Sequence, residues 1–232
     1  MPHPDWYYDE LRQVGLDFAD TAEVAAYDRN QGRDPQEDRR LVAALGIGPA
    51  DLLIDVGCGT GQFAREAAKL AREVIALDVS PAMLDYARNR AAAAGLGNID
   101  FRHGGFLSYR HEGPAADIVT SKFALHHLPD FWKAVALSRI HFWLRPGGTF
   151  YLRDVVFSFA PGEVARGVED WIARVAQPEG VGFSRADFAT HVREEHSSFR
   201  WILEGLIERA GFSIQKLDCT DEAYADFLCV RI

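Results

Sequence analysis

From residue 51 onward, short apolar runs alternate with amphipathic stretches along the chain. Leu52-Leu53-Ile54 is an unbroken apolar run ending in glycines, the pattern of a strand buried on both faces of a parallel sheet. Thr60 to Leu70 has helical periodicity, and Glu73 to Leu77 reads as a second strand. Pro81 to Ala94 predicts a helix. Ser80 can cap its first N–H groups, Pro81 suits the first helical position, and Gly95 stops it. Ile99 to Arg102 and Asp117 to Ser121 read as the third and fourth strands. A helix follows over Asp130 to Leu144, with Phe131, Val135, Ile140 and Leu144 on or near one face. Pro146-Gly147-Gly148 predicts a turn, and Thr149 to Val156 a β-branched and aromatic fifth strand.

This alternation implies an α/β fold: a doubly wound, mostly parallel sheet with helices on both faces. Phe212 to Leu217 and Tyr224 to Val230 return to strand character and predict an antiparallel C-terminal hairpin at the sheet edge, giving a seven-stranded sheet. Residues 1–45 read as a helical cap with Trp6, Tyr7, Tyr8, Phe18 and Tyr27 spaced among acids, a loop from Asn30 to Pro35, and a helix from about Gln36 to Leu45. Residues 158–210 read as a helical insert, or lid, with Trp171, Phe183, Phe188, Phe199 and Trp201 as apolar anchors. The expectation is one domain: a cap over 1–45, a core from 46–157 and 211–232, and the insert between.

Composition narrows the classes. An apolar fraction of 48% over 232 residues excludes a disordered chain. The net charge of −9 disfavours a nucleic-acid or membrane-surface partner, because both present negative charge. Arg39-Arg40, after Glu37-Asp38, reads as a solvated helix face. Three cysteines, Cys58, Cys219 and Cys229, argue for a reducing compartment, with Cys219 and Cys229 as two buried thiols. Met1-Pro-His-Pro-Asp-Trp has neither the basic nor the apolar region of a secretory leader, and no apolar run reaches membrane length; a cytoplasmic location is expected.

The chemistry begins at Asp55-Val56-Gly57-Cys58-Gly59-Thr60-Gly61, which joins the first strand to the first helix of the alternating region. The dinucleotide fingerprint needs its third glycine three residues after the second. Here the third is two residues on, and position 62 is Gln, so that fingerprint fails. Glycine still permits the sharp turn, and free helix N–H groups favour an anion, such as a diphosphate or a single carboxylate. Asp78 ends the second strand, where a carboxylate can accept hydrogen bonds from both hydroxyls of a ribose. The pair points to a nucleoside-containing ligand.

These residues resemble the class I S-adenosylmethionine-dependent methyltransferases, whose fold is Rossmann-like. Leu53 to Gly61 looks like their first motif, and Ala76-Leu77-Asp78-Val79-Ser80 followed by Met83-Leu84 looks like their second. Leu125-His126-His127-Leu128 and Leu144-Arg145-Pro146-Gly147-Gly148 look like later motifs. The resemblance covers about residues 45–157 and implies S-adenosyl-L-methionine as cofactor. It implies that Asp55 and the backbone at Gly57, Cys58, Gly59 and Gly61 hold the methionine end, and that Asp78 holds the ribose. Val79 and Met83 would flank the adenine, Gly105 and Phe106 would meet its edge, and Ser121 and Lys122, with Phe123, would border the methyl group. One departure stands out: many members carry Asp at the place of Gly105, where its side chain receives the adenine amino group.

Candidate catalytic groups sit on loops at the strand ends: His126 and His127 after the fourth strand, and Asp154, with Arg153, on the fifth. Tyr7, Tyr8, Tyr27, Trp171, His196 and Trp201 could enclose a substrate or serve as core. The acids and histidines of the insert, Glu169, Asp170, His191, Glu194, Glu195 and His196, show no metal-ligand spacing, and no metal is expected. The reading is methyl transfer to a small-molecule acceptor. A non-catalytic S-adenosylmethionine sensor and an enzyme acting on RNA or protein share the same core, and a homodimer stays open. A nicotinamide-dependent oxidoreductase is disfavoured by the glycine spacing.

Overall fold

The computed structural model describes residues 4–12, 24, 35–178 and 181–232. Phe18, Tyr27 and the predicted loop up to residue 34 lie outside the described residues. Helix α1 spans Pro35–Ala44. The alternating region then runs β1 (Leu52–Val56), α2 (Gln62–Ala68), β2 (Glu73–Asp78), α3 (Pro81–Ala93), β3 (Ile99–His103), β4 (Ala116–Lys122), α4 (Asp130–Trp143) and β5 (Leu144–Phe157). The insert holds α5 (Val164–Val175) and α6 (Arg185–Glu194), and β6 (Ser198–Phe199) leads into α7 (Arg200–Arg209). The hairpin β7 (Phe212–Thr220) and β8 (Tyr224–Arg231) completes the chain.

The strand order is β3-β2-β1-β4-β5-β8-β7, with β6 off this path beside β5. Strands β1 to β5 are mutually parallel, β8 runs antiparallel to β5, and β7 antiparallel to β8. The order reverses between β1 and β4, and in open parallel sheets that switch point opens a crevice at the carboxyl ends of the strands. One face of the sheet buries Leu52, Ile54 and Val56 with Leu137, Ile140, Leu203 and Ile207. The other buries Leu53, Val74, Ala76 and Ile118 with Val42, Phe63, Ala64 and Ala67. A third cluster, Val155, Phe157, Phe159, Trp171 and Ile172, lies under the insert. The Ser80 side chain accepts from the Met83 N–H, capping α3 as the sequence suggests.

Several expectations change. The eighth strand, β6, is too short to show periodicity. Pro146-Gly147-Gly148 lies inside the span of β5, where the pairing register with β4 shifts and Gly147 takes a φ of 71°. Phe131, placed with the apolar face of its helix, is exposed, and Trp201 is exposed rather than an anchor; Trp201 stacks on Phe199 at an interplanar angle of 13°. Arg39 and Arg40 are exposed, whereas the adjacent Asp38 is buried. Cys229 is buried but Cys219 is exposed, and the register pairs Cys219 with Ala225 and Cys229 with Ile214, so the two thiols stay apart. Among the described residues no helix is long and apolar enough to cross a membrane.

Candidate active site

The turn after β1 needs its glycines for two different reasons. Gly57, Gly59 and Gly61 all have positive φ, at 72°, 53° and 72°. A Cβ at Gly57 would lie 2.3 Å from the Ala124 Cβ, and one at Gly61 would lie 2.9 Å from the Ala87 Cβ. A Cβ at Gly59 would meet nothing within 4 Å, so the middle of the turn faces open space. The N–H groups of Gly57 and Cys58 both donate to the Leu77 carbonyl at 2.8 Å, tying the turn to β2. Burial, reinforced by the carboxylates of Asp78 and Asp55, pushes the Cys58 thiol well up, so it stays protonated.

Asp78 is buried at the end of β2. Its Oδ2 accepts from the Gly59 N–H at 2.7 Å and its Oδ1 from the Ser80 N–H at 2.9 Å. Burial pushes its carboxyl up, against the pull of those two donors. Each oxygen keeps a lone pair for a further donor. Asp55 sits one position inside β1 and accepts from the Thr120 hydroxyl at 2.8 Å, across the β1–β4 register. Met83 is buried at the start of α3. Gly105 follows β3, and a Cβ there would lie 3.0 Å from the Val79 Cγ1 and 2.8 Å from the Glu10 Oε2.

At the end of β4, Ser121 is fully buried and its Oγ has no hydrogen-bond partner among the described residues. The Gln62 Nε2, at the first position of α2, is also buried and unpartnered. Lys122 turns its ammonium to Asp38 on α1 and lies 5.0 Å from the centroid of the Phe63 ring. Phe123 then takes a left-handed φ of 55°, a strained conformation for a bulky residue and one that clusters at functional sites. Its N–H donates to the Arg153 carbonyl at 2.8 Å, and the Arg153 guanidinium sits 5.6 Å from its ring centroid.

The short 3-10 turn Leu125–His127 places the two histidines in different states. The His126 ring pairs through Nδ1 with Asp154 and through Nε2 with Glu195, the latter at 3.1 Å. Burial works against the imidazolium, but Asp154 and Glu195 outweigh it and hold the ring at about 9. Burial, with the His126 charge alongside, lowers His127 to about 4. Glu195 is also paired with His191, and both imidazoles hold its carboxyl well below the usual range despite burial. His126, His127 and Glu195 bring metal-ligand atoms within 4.8 Å of one another, a proximity that sequence spacing does not reveal. Both His126 nitrogens are already spent on Asp154 and Glu195, which makes this an ion-paired clamp.

The cap and insert close around this clamp. The Tyr8 hydroxyl donates to the His127 carbonyl at 3.2 Å, and Tyr7 meets Trp132 edge-on with centroids 4.7 Å apart. The His196 N–H donates to the His126 carbonyl at 2.8 Å. The buried ammonium of Lys133 on α4 donates to Asp130 at 2.8 Å, to the Ser198 hydroxyl at 2.5 Å and to the His196 carbonyl. Trp171 is buried, and its Nε1–H donates to the Tyr224 hydroxyl at 3.2 Å. Glu10, Lys133, His191, Glu195 and Tyr224 carry no local sequence signal; only the tertiary fold brings them here.

A family model described as a methyltransferase domain matches residues 53–148. An uncharacterized methyltransferase of Geobacillus kaustophilus is 25% identical over 209 residues, covering 86% of this chain and 91% of its own length. The 27-O-demethylrifamycin SV methyltransferase of Amycolatopsis mediterranei is 27% identical over 158 residues, covering 67% of this chain and 57% of its own length. In fold, the chain is similar to magnesium protoporphyrin IX methyltransferase from Synechocystis, solved with SAH bound: TM-score 0.66 and 18% identity over 93% of this chain and 96% of that one.

Proposed function

We propose that this chain, a class I S-adenosylmethionine-dependent methyltransferase, methylates a small molecule enclosed beneath its helical insert. The observation that carries the reading is the pair of buried polar atoms at the switch point, Ser121 Oγ and Gln62 Nε2, without a partner among the described residues and beside a glycine turn whose middle faces open space. A buried polar group without a partner costs about 1–3 kcal/mol, and a polar ligand seated there removes that cost. The residues present therefore fit S-adenosyl-L-methionine. When bound, it supplies a methyl group already activated on a sulfonium.

The chain's own residues then bind, align and exclude water. Gly57, Cys58, Gly59 and Gly61 shape the turn against the methionine end, with Asp55 behind them. Asp78 receives the ribose hydroxyls on its remaining lone pairs. Val79 and Met83 flank the adenine, and Gly105 and Phe106 border its edge. Ser121 offers its hydroxyl near the methyl group, and Lys122 contributes backbone there because its ammonium is engaged with Asp38. Alignment of an acceptor under a closed lid can supply about 7–11 kcal/mol of the barrier at best.

The proton-transfer assignments divide. His126 is a cation with both nitrogens engaged, and Asp154 is buried and spent on His126, so both act as positioning residues rather than bases. His127 is neutral at pH 7, and its low basicity suits it to receive a proton only transiently. A small-molecule acceptor is supported by the rifamycin-type relative and by the insert held down at His126 and Lys133.

The test is a methyl-transfer screen with labelled S-adenosylmethionine against a metabolite pool, an RNA pool and a protein extract. Labelled product from the metabolite pool alone supports the reading. Label in RNA or protein overturns the small-molecule acceptor, and tight binding with no turnover in any pool favours a sensor.

A further inference from the structure

Gly105 poses a question that backbone geometry does not answer. Its φ is not among the positive values, so an ordinary residue could adopt its conformation. What excludes a side chain is space: the Cβ position lies 2.8 Å from Glu10 Oε2, 3.0 Å from Glu10 Cδ and 3.0 Å from Val79 Cγ1. A carboxylate thus stands where a side chain at position 105 would begin, delivered by a segment 95 positions earlier in the chain.

That carboxylate is built in. The Leu107 N–H donates to both Glu10 oxygens at 2.9 Å, and the Ser108 N–H donates to Oε1 at 2.6 Å. The Ser108 hydroxyl in turn accepts from the Gly105 N–H at 3.0 Å, so the turn after β3 is shaped around the acid. Among the described residues the load is uneven: Oε1 takes two donors, while Oε2 takes a share of one. A carboxylate oxygen accepts two hydrogen bonds readily, so Oε2 keeps accepting capacity. It is also the oxygen that lies 2.8 Å from the Cβ position at Gly105.

We propose that Glu10 supplies the acceptor for the exocyclic amino group of adenine that Gly105 cannot supply, making the N-terminal segment part of the cofactor site. The proposal rests on the S-adenosylmethionine reading above. It explains the glycine as the space that the incoming acid needs, and it makes recognition of the base depend on the cap being in place. Tyr7 and Tyr8 dock that cap through Trp132 and the His127 carbonyl, which joins the adenine end of the site to the acceptor end through one short stretch of chain.

Calorimetric titration of the full chain with S-adenosylhomocysteine and with its 6-oxo analogue, S-inosylhomocysteine, tests this. The analogue replaces the amino donor with a carbonyl acceptor. Wild type is expected to prefer the adenosyl ligand by about tenfold or more, the scale of one charge-assisted hydrogen bond. In Glu10→Ala the adenosyl ligand should weaken by about tenfold while the inosyl ligand changes little. Glu10→Gln should narrow or reverse the preference, because an amide N–H can donate to the 6-oxo group. Gly105→Asp in the Glu10→Ala background should restore it, since the Glu10 carboxylate is gone and only the Val79 methyl, 3.0 Å from the Cβ position, has to give. An equal loss for both ligands, or an unchanged ratio in every variant, would mean that Glu10 only clamps the turn and would overturn the proposal. Failure of wild type to bind either ligand would instead remove the cofactor reading itself.

Discussion

Asp154 grips His126 twice: Oδ2 accepts from the His126 backbone N–H at 2.9 Å while Oδ1 pairs with its ring. The carboxylate thereby fixes both the path of the loop after β4 and the charge of the ring beside it. Asp154→Asn keeps the shape and removes the charge, leaving a buried imidazolium with Glu195 as its partner. Breaking a buried pair in this way costs about 3–5 kcal/mol. Urea unfolding at pH 7 should show a loss of that order, and imidazole NMR should find the His126 ring titrating below its wild-type value. A loss under about 0.5 kcal/mol, the usual range of a surface change, would show that the pair contributes little.

The same clamp sets a pH window. His126 is raised from 6.5 to about 9, so its contribution to stability is complete below 6.5 and is lost as pH rises through 9. His127 acts in the opposite sense: it is lowered to about 4, so its share is present above 6.5 and is lost as pH falls toward 4. Glu195 and Asp154, both depressed, also lose their share in acid. Stability should therefore peak near neutrality. His126→Gln should flatten the decline between pH 6.5 and 9, and an identical slope in the variant would count against the assignment.

Gly57 should tolerate no side chain while Ala124 stands opposite. Gly57→Ala forces a contact of 2.3 Å as well as an unfavourable φ, and we expect a loss of about 2–4 kcal/mol together with loss of S-adenosylhomocysteine binding. Adding Ala124→Gly removes the contact but not the φ strain, so it should recover part of the stability. Gly59→Ala meets no neighbour and should cost only about 1 kcal/mol. Equal losses at the two positions, by thermal unfolding, would refute the distinction.

Ser121→Ala should separate stability from binding. The hydroxyl is buried without a partner, so deleting it should leave the free protein as stable or slightly more so. S-adenosylhomocysteine should bind about fivefold to tenfold more weakly, the worth of about one hydrogen bond. Unchanged affinity would place the hydroxyl outside the cofactor site.

The strand–helix rhythm made the core legible because each apolar run is continuous and each helix carries its own stop or cap, as Ser80, Pro81 and Gly95 do. The glycine turn and Asp78 could be read because each ends a strand of the parallel β1–β2 pair, which sets the Gly59 N–H 2.7 Å from Asp78 Oδ2. Lys133 and Glu195 could not. Their partners are the His196 carbonyl and the His126 and His191 rings, two of them far away in sequence, and an isolated Lys or Glu ordinarily signals solvent. Asp38 misleads for the same reason: its neighbours Glu37, Arg39 and Arg40 are exposed, and only the distant Lys122 makes its burial affordable. The two residues of β6 fall below the length at which alternation can be seen.

That short strand has a larger meaning. Val156 pairs with Ser198 and Phe157 with Phe199, so the chain leaves β5 and returns beside the place it left. The excursion between them closes at this pair and is held again where Trp171 donates to Tyr224 and where Glu195 pairs with His126, while the entropy of closing a loop grows only slowly with its length. The sheet therefore constrains the ends of that excursion and these few contacts, while added length between them costs little. In the proposed reading the acceptor half of the site draws on this excursion, whereas the nucleoside half rests on the ends of β1 and β2 and on Glu10 of the cap.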